Sequence, residues 1–330
     1  MNALANDAIG GYFSLELGGG NGLPLFKSAI GYQSARSAMA AALIVANPKT
    51  VWVPYFICGV VNDMLHSIGI NVRHYPLTEN FGVPFDLELG AFDLLICADY
   101  FGMCGSKVNT AIEHYGAQRV LVDASQSLYF PPYAESTVVF SPRKFVGVPD
   151  GGLLFSPRKL PPLLPADETG SEFRSRHLLT RASGQVQAGF LEFQEAEKSL
   201  IGCGPYAMST MTQTLLGTID FNGIAVRRRA NYKVLAAGLS ANGFQTMALP
   251  PSAVPLCFPI LDLNADVLRL QLASQRIFTP AYWPDASIPA CDRVGALLRD
   301  RTLYLPCDQR YGTYEMQKII KALIELKDCP

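Results

Sequence analysis

No apolar run in this sequence approaches the roughly 18 residues that a helix needs to cross a bilayer, which argues against an integral helical membrane protein. The N-terminus shows no basic segment followed by an apolar one, so no secretory leader is expected and a cytoplasmic location is. Cysteine occurs eight times but never as a C-x-x-C pair. Scattered thiols of this kind, several in apolar segments (Cys58, Cys97, Cys257), argue against a zinc ribbon or disulfide framework and fit a reducing compartment. Charge is scarce, at 17% of residues with a net value of −1. Such a chain lacks the field that holds nucleic acid or an anionic membrane, and its one basic run, Arg227-Arg228-Arg229, reads as a solvated helix face. A G-x-G-x-x-G turn after an early strand is also missing. That weakens a dinucleotide or methyl-donor enzyme using Asp99 or Asp123 as its ribose acid. No internal repeat is apparent.

What is present is apolar material in quantity, 49% of 330 residues, enough for a large core in one or two domains. With so little charge to cover the surface, part of it is expected to be buried in an oligomer. The glycine-rich first thirty residues read as an irregular arm or a substrate loop. Ser34-Ala35-Arg36-Ser37 then opens an alanine-rich helix that stops at Asn47-Pro48. Strands are expected at 51–54, 72–75 and 92–98, with helices over 58–68 and 108–116. This alternation implies a mostly parallel sheet covered on both faces, with ligands bound at the carboxyl ends of its strands. After a proline-rich connector at 157–165 the order changes. Helix, interrupted around Gly184 and Gly189, is expected over 168–200, and helix again over 208–239, then short strands at 257–261 and 302–305 and helices at 265–274, 289–299 and 313–327. The sequence therefore divides into a large domain, residues 1–216, and a smaller α+β domain, residues 217–330.

The chemistry concentrates between Val120 and Phe155, where three short β-branched runs are bounded by turn residues. The first carries Asp123 near its end; the second opens onto a loop carrying Ser141 and Lys144. An acid and an amine at the ends of neighbouring buried strands are costly for structure alone. Either residue by itself reads blandly, as a helix cap or a loop lysine. A lysine that condenses with an aldehyde, however, anchors pyridoxal phosphate, and that cofactor needs a carboxylate on its ring nitrogen. The turn at Ser34 presents helix N-terminal amides as an anion site, although an ordinary serine cap gives the same pattern.

In order and spacing these motifs resemble the fold-type-I pyridoxal-phosphate enzymes, specifically the DegT/StrS group of sugar aminotransferases. Ser34-Ala35-Arg36-Ser37-Ala38 is similar to that family's phosphate turn. Val122-Asp123-Ala124-Ser125-Gln126 is similar to its strand end, and Phe140-Ser141-Pro142-Arg143-Lys144, with Asp150-Gly151-Gly152, to its lysine loop. The resemblance implies a seven-stranded-type, mostly parallel sheet and a smaller C-terminal domain. It implies pyridoxal 5′-phosphate on Lys144, Asp123 on the pyridine nitrogen, Gln126 near the phenolic oxygen, and Ser34, Ala35, Arg36 and Ser141 at the phosphate. It further implies a homodimer that moves an amino group from an amino acid, glutamate by likeness, to a keto-sugar or related carbonyl.

The sequence also departs from the family. The serine-to-lysine spacing is short, and Cys58 stands where many members have an aromatic, so stacking falls to Tyr55, Phe56 or Tyr100. The Gly-x-Asn-x-Arg segment that reaches the partner's phosphate appears as Gly204-Pro205-Tyr206-Ala207-Met208. The chain is short as well, which leaves open a substrate other than a nucleotide-linked keto-sugar. Retention of lysine, where some relatives carry histidine and act as dehydratases, favours amino transfer. The alternatives are a cofactor-binding protein without turnover, or another reaction of the same cofactor on this fold, a dehydration or a lyase reaction. Ser141-Pro-Arg-Lys144 also matches the S-x-x-K of penicillin-recognising hydrolases, but its S-D-N and K-T-G companions are absent.

Overall fold

The alternating apolar runs of the first half assemble into one seven-stranded sheet. The computed structural model describes residues 8–22, 26, 28–131, 135–202, 204–261 and 263–328. The sheet contains β2 (Ile30–Tyr32), β3 (Thr50–Pro54), β4 (Asn71–Tyr75), β5 (Asp93–Ala98), β6 (Val120–Ala124), β7 (Thr137–Phe140) and β8 (Gly152–Phe155). Its strand order is β2-β8-β7-β6-β5-β3-β4. The pairs from β4 through β7 are parallel, whereas β8 runs antiparallel to both β7 and β2. The residues of β6 are all buried, as a strand with helices on both faces requires. Those helices include α1 (Ala35–Ala46), α2 (Gly59–Ser67) and α3 (Gly105–Tyr115).

Beyond the sheet come α4 (Glu168–Ala182) and α5 (Ala188–Lys198), which pack together, then α6 (Thr210–Thr218) and α7 (Phe221–Ala241). The single helix expected over 208–239 is two, because Asp220 caps a new start: its carboxylate accepts the Gly223 amide at 2.9 Å. A three-stranded sheet follows, ordered β12 (Leu303–Leu305), β10 (Phe258–Leu261), β9 (Gln245–Thr246). It is accompanied by α8 (Ala265–Ser274), α9 (Arg293–Asp300) and α10 (Thr313–Asp328).

The glycine-rich start is not an irregular arm throughout. Ile9–Gly10 form β1, paired in parallel with β11 (Ile277–Phe278). The approach is close enough that a Cβ on Gly10 would lie 2.0 Å from the Phe278 carbonyl oxygen, so only glycine fits. Near the C-terminus, Tyr311 Oη accepts the Gly10 amide at 2.9 Å, and Arg310 donates to the carbonyl of Tyr12 at 2.9 Å.

The basic run at 227–229 corrects the expectation of a solvated face. Arg227 is exposed, but Arg228 is 0% exposed. Its guanidinium lies over the Phe145 ring, 4.6 Å from the centroid, and donates to the carbonyls of Phe145, Pro255 and Leu256 at 3.0–3.2 Å. The cysteines behave as small hydrophobes: Cys97 and Cys257 are buried, Cys58 partly so, and all three are free thiols. No described helix is long and apolar enough to cross a membrane.

Candidate active site

The parallel register brings the polar strand ends side by side. Asp123 pairs with Ala98 on one side and Val139 on the other, and Asp99 and Ser141 directly follow those strands. Chain direction alone thus places Asp99, Asp123 and Ser141 at the carboxyl edge, where ligands bind in sheets of this kind.

Lys144 ends a 3-10 turn, Pro142–Lys144, closed by the Lys144 amide on the Ser141 carbonyl at 3.2 Å. Proline at the first position presets this tight turn, which accounts for the short Ser141–Lys144 spacing. The turn is fixed on both sides. The Phe145 carbonyl accepts from Arg228 at 3.1 Å and from Gln309 at 2.8 Å. Asp150 is 1% exposed, pairs with the equally buried Arg174 at 3.5 Å and accepts from Ser209 Oγ at 3.1 Å.

The acid and the amine are not an ion pair. Lys144 Nζ donates to Ser125 Oγ at 3.1 Å, while Asp123 Oδ1 accepts the backbone N–H of Ser125 at 2.9 Å. Cys58, at the start of α2, has its thiol pushed up by burial. The Lys144 charge opposes that shift, and the Asp123 and Asp285 charges add to it.

The residues fit pyridoxal phosphate on several counts. Gln126 is 3% exposed; its Oε1 accepts the Phe101 amide at 3.1 Å, and its Nε2 is buried with no partner. A buried donor of that kind calls for an acceptor, as a phenolic oxygen would be. Ser34 caps α1, its Oγ accepting the Ser37 amide at 3.1 Å, so the N–H groups of Ala35 and Arg36 begin the helix as an anion site. Gly152 passes beneath this turn so closely that a Cβ would lie 2.2 Å from the Ser34 carbonyl carbon. Strand β8 and the turn at Ser34 are therefore locked together.

Two expectations need correction. The Arg36 guanidinium does not turn toward that turn: Nη1 donates to the carbonyls of Leu200 and Ile201 at 3.0 and 2.6 Å. These carbonyls lie just past the end of α5, where a helix dipole draws a cation. Phe56 and Tyr100 are core residues, 0% and 1% exposed, stacked on each other with both rings against Trp283. Tyr100 Oη donates to the Phe56 carbonyl at 2.7 Å, and Tyr55 stacks on His74. None of the three is a free stacking face beside Lys144.

A cavity of about 550 Å³ opens at Ser141, Arg143 and Lys144. Its far wall holds Tyr12, His177, Phe190 and Phe193, residues that no sequence motif marks. The one available signal was the pair of aromatics three apart on α5. Asp123 and Gln126 do not line it. Among the described residues no group of His, Cys, Asp or Glu is placed to hold a metal ion.

Two buried groups near this edge oppose each other in pH dependence. Burial pushes the Asp99 carboxyl up to about 6, although it accepts the Cys104 amide at 2.7 Å. Burial, aided by the Arg143 charge, pulls His177 down to about 4. A raised carboxyl lets the folded state hold its proton above the unfolded value near 4, so Asp99 makes stability fall as pH rises from about 4 to about 6. A depressed imidazole does the reverse, contributing stability that is lost as pH falls through that window from about 6.5. The Asp99→Asn variant removes the first effect, so its stability relative to wild type should rise by roughly 2 kcal/mol between pH 4 and pH 6. Urea titrations of both proteins across that range check this; parallel curves would show that Asp99 does not titrate there.

The sheet order and the flanking helices define the class of fold, one shared with solved sugar aminotransferases. No protein-family profile and no curated protein matches the sequence. Among solved structures the chain is similar to a DegT DnrJ EryC1 StrS aminotransferase from Brucella abortus, with TM-score 0.63 and 14% identity over 92% of this chain and 86% of that one. DesV of S. venezuelae, solved with a ketimine intermediate, gives TM-score 0.64 and 16% identity over 92% and 85%. The sugar aminotransferase CalS13 of Micromonospora echinospora gives 0.60 and 13% over 90% and 87%. At these identities the likeness is one of fold.

Proposed function

We propose that the chain is a pyridoxal-phosphate-dependent aminotransferase, a divergent relative of the DegT/StrS group. It would take an amino group from an amino acid, glutamate by likeness, and give it to a keto-sugar or related carbonyl. The supporting observation is the arrangement of Lys144 and Asp123. They sit at adjacent strand ends, and each is bonded to Ser125 rather than to the other. The cofactor, when bound, supplies an electron-accepting ring. Asp123 would hold a proton on its ring nitrogen, Gln126 would donate to its phenolic oxygen, and the Ser34–Arg36 amides with Ser141 would receive its phosphate. Lys144 would be the residue that holds the cofactor's aldehyde, and its amine would carry protons to and from the substrate carbon, a positioned acid–base role worth about 10²–10⁴-fold.

The same reading gives a cofactor-binding part, residues 1–216, a smaller part, residues 217–330, and a homodimer. Exposed apolar side chains support the last: Leu179 at 54%, Leu191 at 68% and Ile201 at 64% lie on or beside α4 and α5, and surface of this kind suits an interface.

An absorption spectrum tests the proposal. The purified protein mixed with pyridoxal phosphate should show a visible band that falls when glutamate is added. Absence of the band would reject cofactor chemistry. A band that no amine changes would favour binding without turnover.

A further inference from the structure

The cavity beside Lys144 has a lining that bears on the acceptor. Tyr12 and Phe193 stack at 5.3 Å between centroids with their planes 16° apart. Phe190 lies 6.3 Å from Phe193, and His177 meets Phe193 edge-on at 5.5 Å. Phe13, Leu178, Val146, Val148, Leu256, Phe278 and Tyr282 complete an aromatic and aliphatic wall. The charged side chains on the lining are Arg143, Lys144 and Glu197, and Arg143 is ion-paired with Glu197. Lys144 is already assigned to the chemistry. A nucleoside diphosphate carries at least two negative charges on its phosphates, and phosphate recognition relies on cations or amide nests. Beside that charge-neutral pair and Lys144, the wall offers a diphosphate no further cation. It does offer polar atoms in need of a partner: Thr279 Oγ1, in a residue 9% exposed, and Arg143 Nε are buried with no hydrogen-bond partner. Unmet buried polar groups in an otherwise apolar pocket are the usual means of orienting a ligand.

We propose that the carbonyl acceptor is a compact compound with an aromatic or alicyclic body and one or two hydroxyl or carbonyl oxygens, carrying no nucleotide. It lies against Tyr12, Phe190 and Phe193 and bonds through its oxygens to Thr279 Oγ1 and Arg143 Nε. This rests on the aminotransferase reading, since Lys144 makes the cavity the reaction site. The size agrees: about 550 Å³ lies within the range of small-ligand pockets, ~300–1,000 Å³.

Calorimetric titration of the full-length protein, with and without pyridoxal phosphate, tests the inference without requiring turnover. The probes are 4-phenylbutan-2-one as the apolar ketone and uridine diphosphate as the nucleotide. The ketone should bind saturably and the nucleotide should not. Phe193→Ala should weaken ketone binding at least tenfold, and Thr279→Val, which keeps the side chain's shape, should weaken it severalfold. Saturable nucleotide binding that the ketone displaces would overturn the inference. So would failure of the ketone to bind, or binding indifferent to both substitutions. The absorption spectrum separates the two proposals. A visible cofactor band without ketone binding sinks the acceptor class alone; ketone binding without a band leaves the cavity's preference standing and removes the cofactor chemistry.

Discussion

Lys144→Ala should abolish the visible band formed with pyridoxal phosphate and reduce amino transfer by at least about 10²–10⁴-fold. The fold should survive. Lys144 is half-buried, and its ammonium donates to Ser125 Oγ at 3.1 Å without an ion-pair partner among the described residues. Thermal unfolding of the variant should stay close to that of wild type, which separates lost chemistry from lost structure. Rescue identifies the role. Added methylamine is a free base small enough to occupy the space of the missing side chain, and it should restore part of the rate in proportion to its unprotonated fraction. Retention of the visible band by the variant would mean that another amine holds the aldehyde, and the assignment would fail.

Arg228→Met should cost on the order of 3 kcal/mol or more in stability, the scale of several buried carbonyls left short of a charged donor. The guanidinium is fully buried, and its partners lie in three separate stretches: Phe145 beside Lys144, Pro255 and Leu256 before β10, and Gln309 near the C-terminus. Removing it releases the carbonyl of Phe145 to Gln309 alone. Methionine fills similar volume, so the loss is one of hydrogen bonds and not of packing. Arg228→Lys should recover only part, because an ammonium cannot present the planar fork that reaches three directions. Urea unfolding gives the energies; cofactor retention at sub-denaturing urea reports whether the lysine turn loosens first. A midpoint unchanged in the methionine variant would show that these carbonyls find other donors.

How much of this was readable in advance follows from the range of the interactions. The strand ends with Asp99, Asp123 and Ser141 were legible because a buried parallel strand is a local run of β-branched residues ending in a polar one. The α1 cap was legible because Ser34 bonds to Ser37, three residues away. Arg228 was misread because a guanidinium stripped of water looks like any other arginine until its carbonyl partners, up to 83 residues away, are known. The misassigned ring contacts of Phe56 and Tyr100 share that cause, since Trp283 comes from the far end of the chain. Tyr12, His177, Phe193 and Thr279 line one cavity from four unrelated stretches, and no spacing rule links them. The β1 and β2 pairings were invisible for the same reason, both being short glycine-containing segments whose partners are distant in sequence.

The pairing of β1 with β11 also dictates when the cavity can exist. Ile9 has no strand to join until Ile277 has been made, and Gly10 is bonded to Tyr311 later still. On a ribosome the seven-stranded sheet can assemble from residues 30–155 while its N-terminal neighbour waits for most of the chain. Contacts of such separation close late and slowly. The walls drawn from residues 11–13 and 278–282 would then come together last, so that the half-made chain carries the lysine turn before it has a pocket to hold a substrate.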